Sequence, residues 1–241
     1  MSSPTRRILA TSGGFLATDV QGVVRPGGIL AELLRLTNQE RPRLLLVNTA
    51  TGDDSDRLLR AYRALASWSV AVSHLALFPQ PSMDPRQAVM ESDAVWVGGG
   101  SVANLLACWR VHGLDKVFAE AHDAGVVLGG VSAGSICWHV GGTTDSFGPA
   151  LRPVTNALGL IGYGNGVHYD SEAQRRPLLH GLVRDAVLPT SIATDDGCGV
   201  LYENGEPAAV VTDVPGSPAR AYRVELMGGR VVETVLEPGR L

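Results

Sequence analysis

Wholly apolar runs alternate with amphipathic ones through the first half of the chain. "RRILATS", "RLLLVNTA", "SVAVSHLALF", "DAVWVGGG" and "VVLGGVS" have strand length, and several show no inside–outside alternation. That is the pattern of strands covered on both faces. Between them, "GGILAELLRLTNQ" and "DDSDRLLRAYRALASW" carry apolar residues at helical spacing. The second opens on acidic residues, which suit the positive end of a helix. "DPRQAVMES" predicts a short helix, and "SVANLLACWRVHGLDKVFAEAHDAG" predicts two helices broken near Gly113. Such alternation predicts an α/β fold, a mostly parallel sheet flanked by helices and joined by right-handed crossovers.

The second half changes character. "GGTTDSFGPALRPVTNALGLIGYGNGVHYD" is rich in Gly, Pro, Thr and Asn and predicts loops and short strands; "SEAQRRPLLHGLVRDA" then reads as a helix. The remaining alternating runs are joined by turn signals at Asn204–Gly205 and Gly228–Gly229, which predict antiparallel hairpins in the C-terminal part. Without a linker, repeat or low-complexity tract, residues 1–241 are expected to form a single α/β domain.

Composition narrows the function. Of 241 residues, 45% are apolar and 18% charged, so a large core is expected. A net charge of −4 with no basic tract gives no reason to expect nucleic acid or an anionic membrane as partner. The basic residues are arginine except for Lys116, a bias that reflects the genome more than the function. Cys108, Cys137 and Cys198 are isolated and odd in number, which suits a reducing compartment and lacks metal-ligand spacing. Arg6–Arg7 before an apolar stretch resembles an export signal, but Gly13–Gly14 interrupt that stretch and "RRILATSGG" reads as a first core strand. No run approaches the ~20 apolar residues of a membrane span, and a cytoplasmic location is expected.

Chemistry gathers at "VVLGGVSAGSICWHV". Gly130, Ser132 and Gly134 fit G-x-S-x-G, in which a serine stands on a sharp strand-to-helix turn. The pattern alone is cheap in a chain with 29 glycines; the preceding strand and the short helix predicted over "AGSICWHV" give it weight. Among six histidines, His74 reads as a core or edge residue, His112 and His180 as helix-end residues, and His122 as a solvated one. His139 lies about two helical turns beyond the corner, which leaves His168 as the base. Two stretches compete for an orienting acid, Asp145 in "TTDSFG" and the pair Asp195 and Asp196 in "SIATDDGCG". Ala133 N–H and the triplet Gly98, Gly99 and Gly100 are candidate oxyanion donors. That triplet lacks the G-x-G-x-x-G spacing and the P-loop lysine, so no nucleotide cofactor is expected, and no metal.

Together "VGGGSVANLLACWRVHGLD", "GGVSAGSICW", "TDSFGP", "LGLIGYGNGVHYDSEAQRRP" and "IATDDGCGVLYENG" resemble the peptidase E family of aspartyl dipeptidases, which includes the cyanophycinases. The likeness covers most of residues 94–205. It implies a class I glutamine amidotransferase-like fold with serine in place of cysteine, and a Ser-His-acid hydrolase cutting small peptides after an N-terminal aspartate. The family nucleophile falls on Ser132, its histidine on His168 and its acid on Asp196, with Asp145 either a triad member or a substrate contact. Arg175 or Arg176 falls at the position expected to hold the aspartyl carboxylate, a role that bidentate pairing suits. Ser101–Val102 replaces the Asn-Thr common after the triplet, which bears on substrate preference. The alternatives are a cyanophycinase-like hydrolase of β-aspartyl-arginine units and an inactive ligand-binding homologue. The expected partner is a small acidic peptide, and a homodimer is the candidate assembly.

Overall fold

Helix signals and apolar runs both find their places in the computed structural model, which describes residues 4–241. Strand β1 (Arg7–Thr11) is followed by a small hairpin, β2 (Phe15–Ala17) and β3 (Val24–Pro26), and by helix α1 (Gly28–Arg35). Next come β4 (Arg43–Val47), α2 (Ser55–Leu65), β5 (Ala71–Leu75), α3 (Pro85–Met90) and β6 (Ala94–Val97). Helices α4 (Val102–Val111) and α5 (Leu114–Asp123) lead into β7 (Val127–Val131) and the short α6 (Ala133–Ile136). Then follow β8 (Gly141–Thr144), β9 (Arg152–Val154), β10 (Gly164–Gly166), α7 (Arg175–Arg184) and β11 (Ser191–Thr194). The chain closes with β12 (Cys198–Glu203), β13 (Glu206–Thr212), β14 (Ala221–Met227), β15 (Arg230–Leu236) and β16 (Gly239–Arg240).

The strands form two large sheets. The first has the order β16-β13-β12-β1-β7-β6-β4-β5 and is parallel from β1 to β5, with an antiparallel C-terminal edge. The second, β15-β14-β11-β10-β8-β9, is parallel through β8, β10 and β11. This is an α/β fold with mostly parallel central strands and antiparallel hairpins in the C-terminal part. The two hairpins join different sheets, a destination that local turn chemistry does not encode.

Two-sided burial explains the apolar runs. In β4, Leu45 and Val47 join the core on one face while Leu44 and Leu46 join the core on the other. In β6, Val95 and Val97 divide from Ala94 and Trp96 in the same way. Helix starts carry side-chain caps: Asp54, Asp84 and Ser101 accept the N–H of Arg57, Gln87 and Asn104. The break at Gly113 has φ 71°, a left-handed conformation that glycine adopts without penalty. The hairpin β2–β3 has no counterpart in the predicted pattern; Phe15 packs edge-on against Trp96. Among the described residues no helix is long and apolar enough to cross a membrane.

Candidate active site

Ser132 stands between β7 and α6 with φ 56° and ψ −112°, a backbone strained for a non-glycine residue. Its N–H donates to Thr11 O at 3.0 Å, and its carbonyl accepts from Ser135 and Ile136 N–H at 2.9 Å each. The flanking glycines are needed for close approach rather than for torsion. A Cβ on Gly134 would stand 2.2 Å from Val97 O, and one on Gly130 2.6 Å from the same oxygen. The corner is therefore pressed against the end of β6 with no room for a side chain.

The loop after β6 lies against the serine. A Cβ on Gly99 would meet Ser132 Cβ at 3.2 Å and Ser132 Oγ at 3.8 Å. Gly98 N–H is already engaged by Val47 O at 2.9 Å. The N–H groups of Gly99, Gly100 and Ala133 donate to no acceptor among the described residues, which leaves them available to an oxyanion. Ser101 caps α4 and Val102 is fully buried.

His168 follows β10 with φ 52°. Its Nδ1 lies 2.5 Å from Asp196 Oδ1, and its N–H donates to Ser12 Oγ at 3.1 Å. With Nδ1–H directed at the carboxylate, the tautomer leaves Nε2 as the acceptor. The side-chain bond of His168 runs to Asp196, and none reaches Ser132 Oγ; such contacts commonly close only in the substrate complex. Asp196 is held in turn by its N–H, which donates to Asp170 Oδ1 at 2.9 Å. Gly197 N–H donates to Ser12 O at 3.0 Å. Thr11 and Ser12 thus tie together the serine, histidine and acid loops.

The other predicted groups fall elsewhere. Asp195 is buried; its Oδ2 accepts from Arg220 N–H at 2.9 Å and Tyr222 Oη at 3.0 Å, and burial raises its pKa. Asp145 is exposed just after β8. Its loop docks on the start of α4, where Ser146 Oγ accepts Ala103 N–H at 3.3 Å. Arg175 is buried, with Nε on Glu172 at 2.9 Å and Nη1 on Thr143 O. Arg176 lies 4.3 Å from the Tyr169 ring centre and 4.8 Å from that of Tyr222, and pairs with Glu233.

Two histidine expectations need correction. His122 is not solvated but 4% exposed, because the face of α5 that carries it packs inward, and burial lowers its pKa. His180 lies inside α7 rather than at its end, with Nε2 2.9 Å from Glu233. His139 is fully buried and bonds to Ser135 O and Tyr202 Oη.

The model of peptidase family S51 matches residues 9–210. The chain belongs to peptidase family S51. It is 36% identical over 231 residues to the uncharacterized peptidase YgaJ of Bacillus subtilis strain 168, spanning 96% of this chain and 97% of that protein. It is 30% identical over 144 residues to Peptidase E of Shewanella denitrificans, covering 56% of this chain and 60% of that one. The fold matches the crystal structure of a peptidase from an acI-B1 Actinobacterium with a TM-score of 0.68, at 14% identity and over 98% and 96% of the two chains. This S51 member is thus a peptidase of the peptidase E family.

Three residues of the candidate site, Thr11, Ser12 and Asp170, carry no clear mark in the sequence. Their signals are faint, a Thr-Ser at the carboxyl end of the first strand and an acid two residues past His168.

Proposed function

We propose that this S51 peptidase is a serine peptidase that hydrolyses small peptides with an N-terminal aspartate. The observation that carries the reading is the 2.5 Å contact of His168 Nδ1 with Asp196, in loops tied through Thr11 and Ser12 to the strained Ser132 corner. His168 Nε2 takes the Ser132 proton as Oγ attacks the scissile carbonyl carbon, and Asp196 stabilises the imidazolium that forms. The oxygen that gains charge is met by the N–H groups of Gly99, Gly100 and Ala133. His168 then protonates the leaving amine, and water attacks the acyl-enzyme by the same path in reverse. Asp145 is a substrate contact in this reading. Of the two α7 arginines Arg176 is the more exposed, at 40% of its side chain, and a substrate carboxylate there would take the place of Glu233.

The test is Ser132→Ala. Turnover of Asp-Leu should fall on the order of 10⁶-fold with an unchanged melting temperature. Near-native cleavage by the purified variant would sink the nucleophile. A panel of Asp-Leu, Asn-Leu and a β-linked Asp-Arg unit tests the substrate. Equal rates on Asp-Leu and Asn-Leu would remove the aspartate preference, and cleavage of the β-linked unit alone would favour a cyanophycinase-like activity.

A further inference from the structure

Asp213 is a buried carboxylate that the reaction above does not use. It follows β13 and is 5% exposed. Its Oδ2 accepts Gly14 N–H at 2.7 Å, and its Oδ1 accepts Ile29 N–H at 3.2 Å. Its main chain is engaged as well: the carbonyl accepts Gly28 N–H at 2.9 Å, and the N–H donates to Gly197 O at 2.9 Å. One residue thus joins the turn after β1, the start of α1 and the loop that carries Asp196.

The chain is shaped around this carboxylate. A Cβ on Gly13 would stand 2.2 Å from Oδ2, and one on Gly27 2.0 Å from Oδ1. Glycine at both places lets the carboxylate lie against the main chain. Gly14 and Ile29 are buried, so without Asp213 their N–H groups would lose their acceptor away from water. Burial raises the pKa of the carboxyl, and the N–H groups of Gly14 and Ile29, with Arg25, oppose that rise. Helix α1 is the rigid end of the tie, since Ile29, Leu30 and Leu33 are fully buried.

The other end lies at the chemistry. Gly14 is close behind Ser12, whose Oγ takes His168 N–H at 3.1 Å. Gly197 follows Asp196 and donates its N–H to Ser12 O at 3.0 Å, while Ser12 N–H donates to Cys198 O at 2.8 Å. Ser12, Gly14, Asp213 and Gly197 therefore form a closed ring of contacts. His168 is bonded to one corner of it, and Asp196 is joined to another.

We propose that Asp213 is a positioning residue: anchored on α1, it fixes the Ser12 turn against the Asp196 loop and so keeps His168 and Asp196 in register. The proposal rests on the hydrolase reading above and adds to it a residue that acts only through others.

Asp213→Asn keeps the shape but turns a donor towards one of the two N–H groups. Its kcat on Asp-Leu should fall about tenfold to a hundredfold with KM little changed. Combined with Ser12→Ala, the loss should be smaller than the product of the two single losses, because both act on one turn. Gly113→Ala strains the α4–α5 break at φ 71° with open space around the new Cβ, and supplies a destabilised control whose kcat should stay native. The proton resonance of the His168 Nδ1–H bond to Asp196 should shift or broaden in Asp213→Asn. A kcat loss in the control equal to that of Asp213→Asn, strict multiplication of the Ser12 and Asp213 losses, or an unchanged resonance would each overturn the proposal. If the wild type cleaves no peptide, the hydrolase reading falls, and the resonance alone still decides whether Asp213 positions His168.

Discussion

Ser12 Oγ accepts the backbone N–H of His168 at 3.1 Å, while Ser12 O accepts Gly197 N–H next to Asp196. The preceding residue, Thr11, accepts Ser132 N–H. Ser12 is 4% exposed and its hydroxyl is also bonded to Thr194, so its rotamer is held on both sides. We expect Ser12→Ala to lower kcat about tenfold to a hundredfold with KM little changed, because the imidazole loses a fixed position rather than a substrate contact. Steady-state kinetics across pH, alongside a melting curve, check this; a matching loss of stability with intact kcat would make the residue merely structural.

Asp196→Asn should reduce kcat far more than Asp145→Asn. An amide opposite His168 Nδ1 favours the wrong tautomer, which costs ~10⁴ in rate at such a position. Asp145 is exposed and does not touch His168, so its loss should fall mainly on KM. Collapsed kcat with native KM in Asp145→Asn would exchange the two assignments.

Arg175→Met should destabilise the protein by about 1–3 kcal/mol, since it strips hydrogen bonds from the buried Thr143 carbonyl. Arg176→Met should cost less, because its guanidinium is partly solvated and stacked on tyrosines. Urea denaturation of both variants gives the order directly.

His139 carries a pH-dependent stability term. Burial lowers its pKa from 6.5 to about 4, so the folded chain holds it neutral while the unfolded chain protonates it. Stability from this group is complete above the unfolded pKa and is lost as pH falls from about 6.5 towards 4, by on the order of 3 kcal/mol. His139→Gln should be less stable at pH 7 yet lose less on acidification, as read from urea midpoints at pH 7 and 5. An identical pH slope in both proteins would refute the assignment.

Much of this protein is decided by local rules. Two-sided burial makes β4 and β6 apolar throughout, caps at Asp54, Asp84 and Ser101 start helices where the residues demand it, and Gly113 breaks α4 from α5. The glycines around Ser132 announce a corner because a Cβ there would strike Val97, a constraint written in residue type. What the chain alone left open is everything set by long-range contact. Asp195 and Asp196 are adjacent and chemically identical, yet one is buried against Tyr222 and the other meets His168, since successive residues at a strand end point opposite ways. His122 looks solvated by its neighbours but faces the core, because the burial of a helix face depends on what packs against it. Ser12 is an ordinary serine until three loops distant in sequence converge on it. A cavity of about 310 Å³ lies where Phe15, Ala61 and Trp96 bring the β2–β3 hairpin, α2 and β6 together, and no spacing along the chain encodes that meeting.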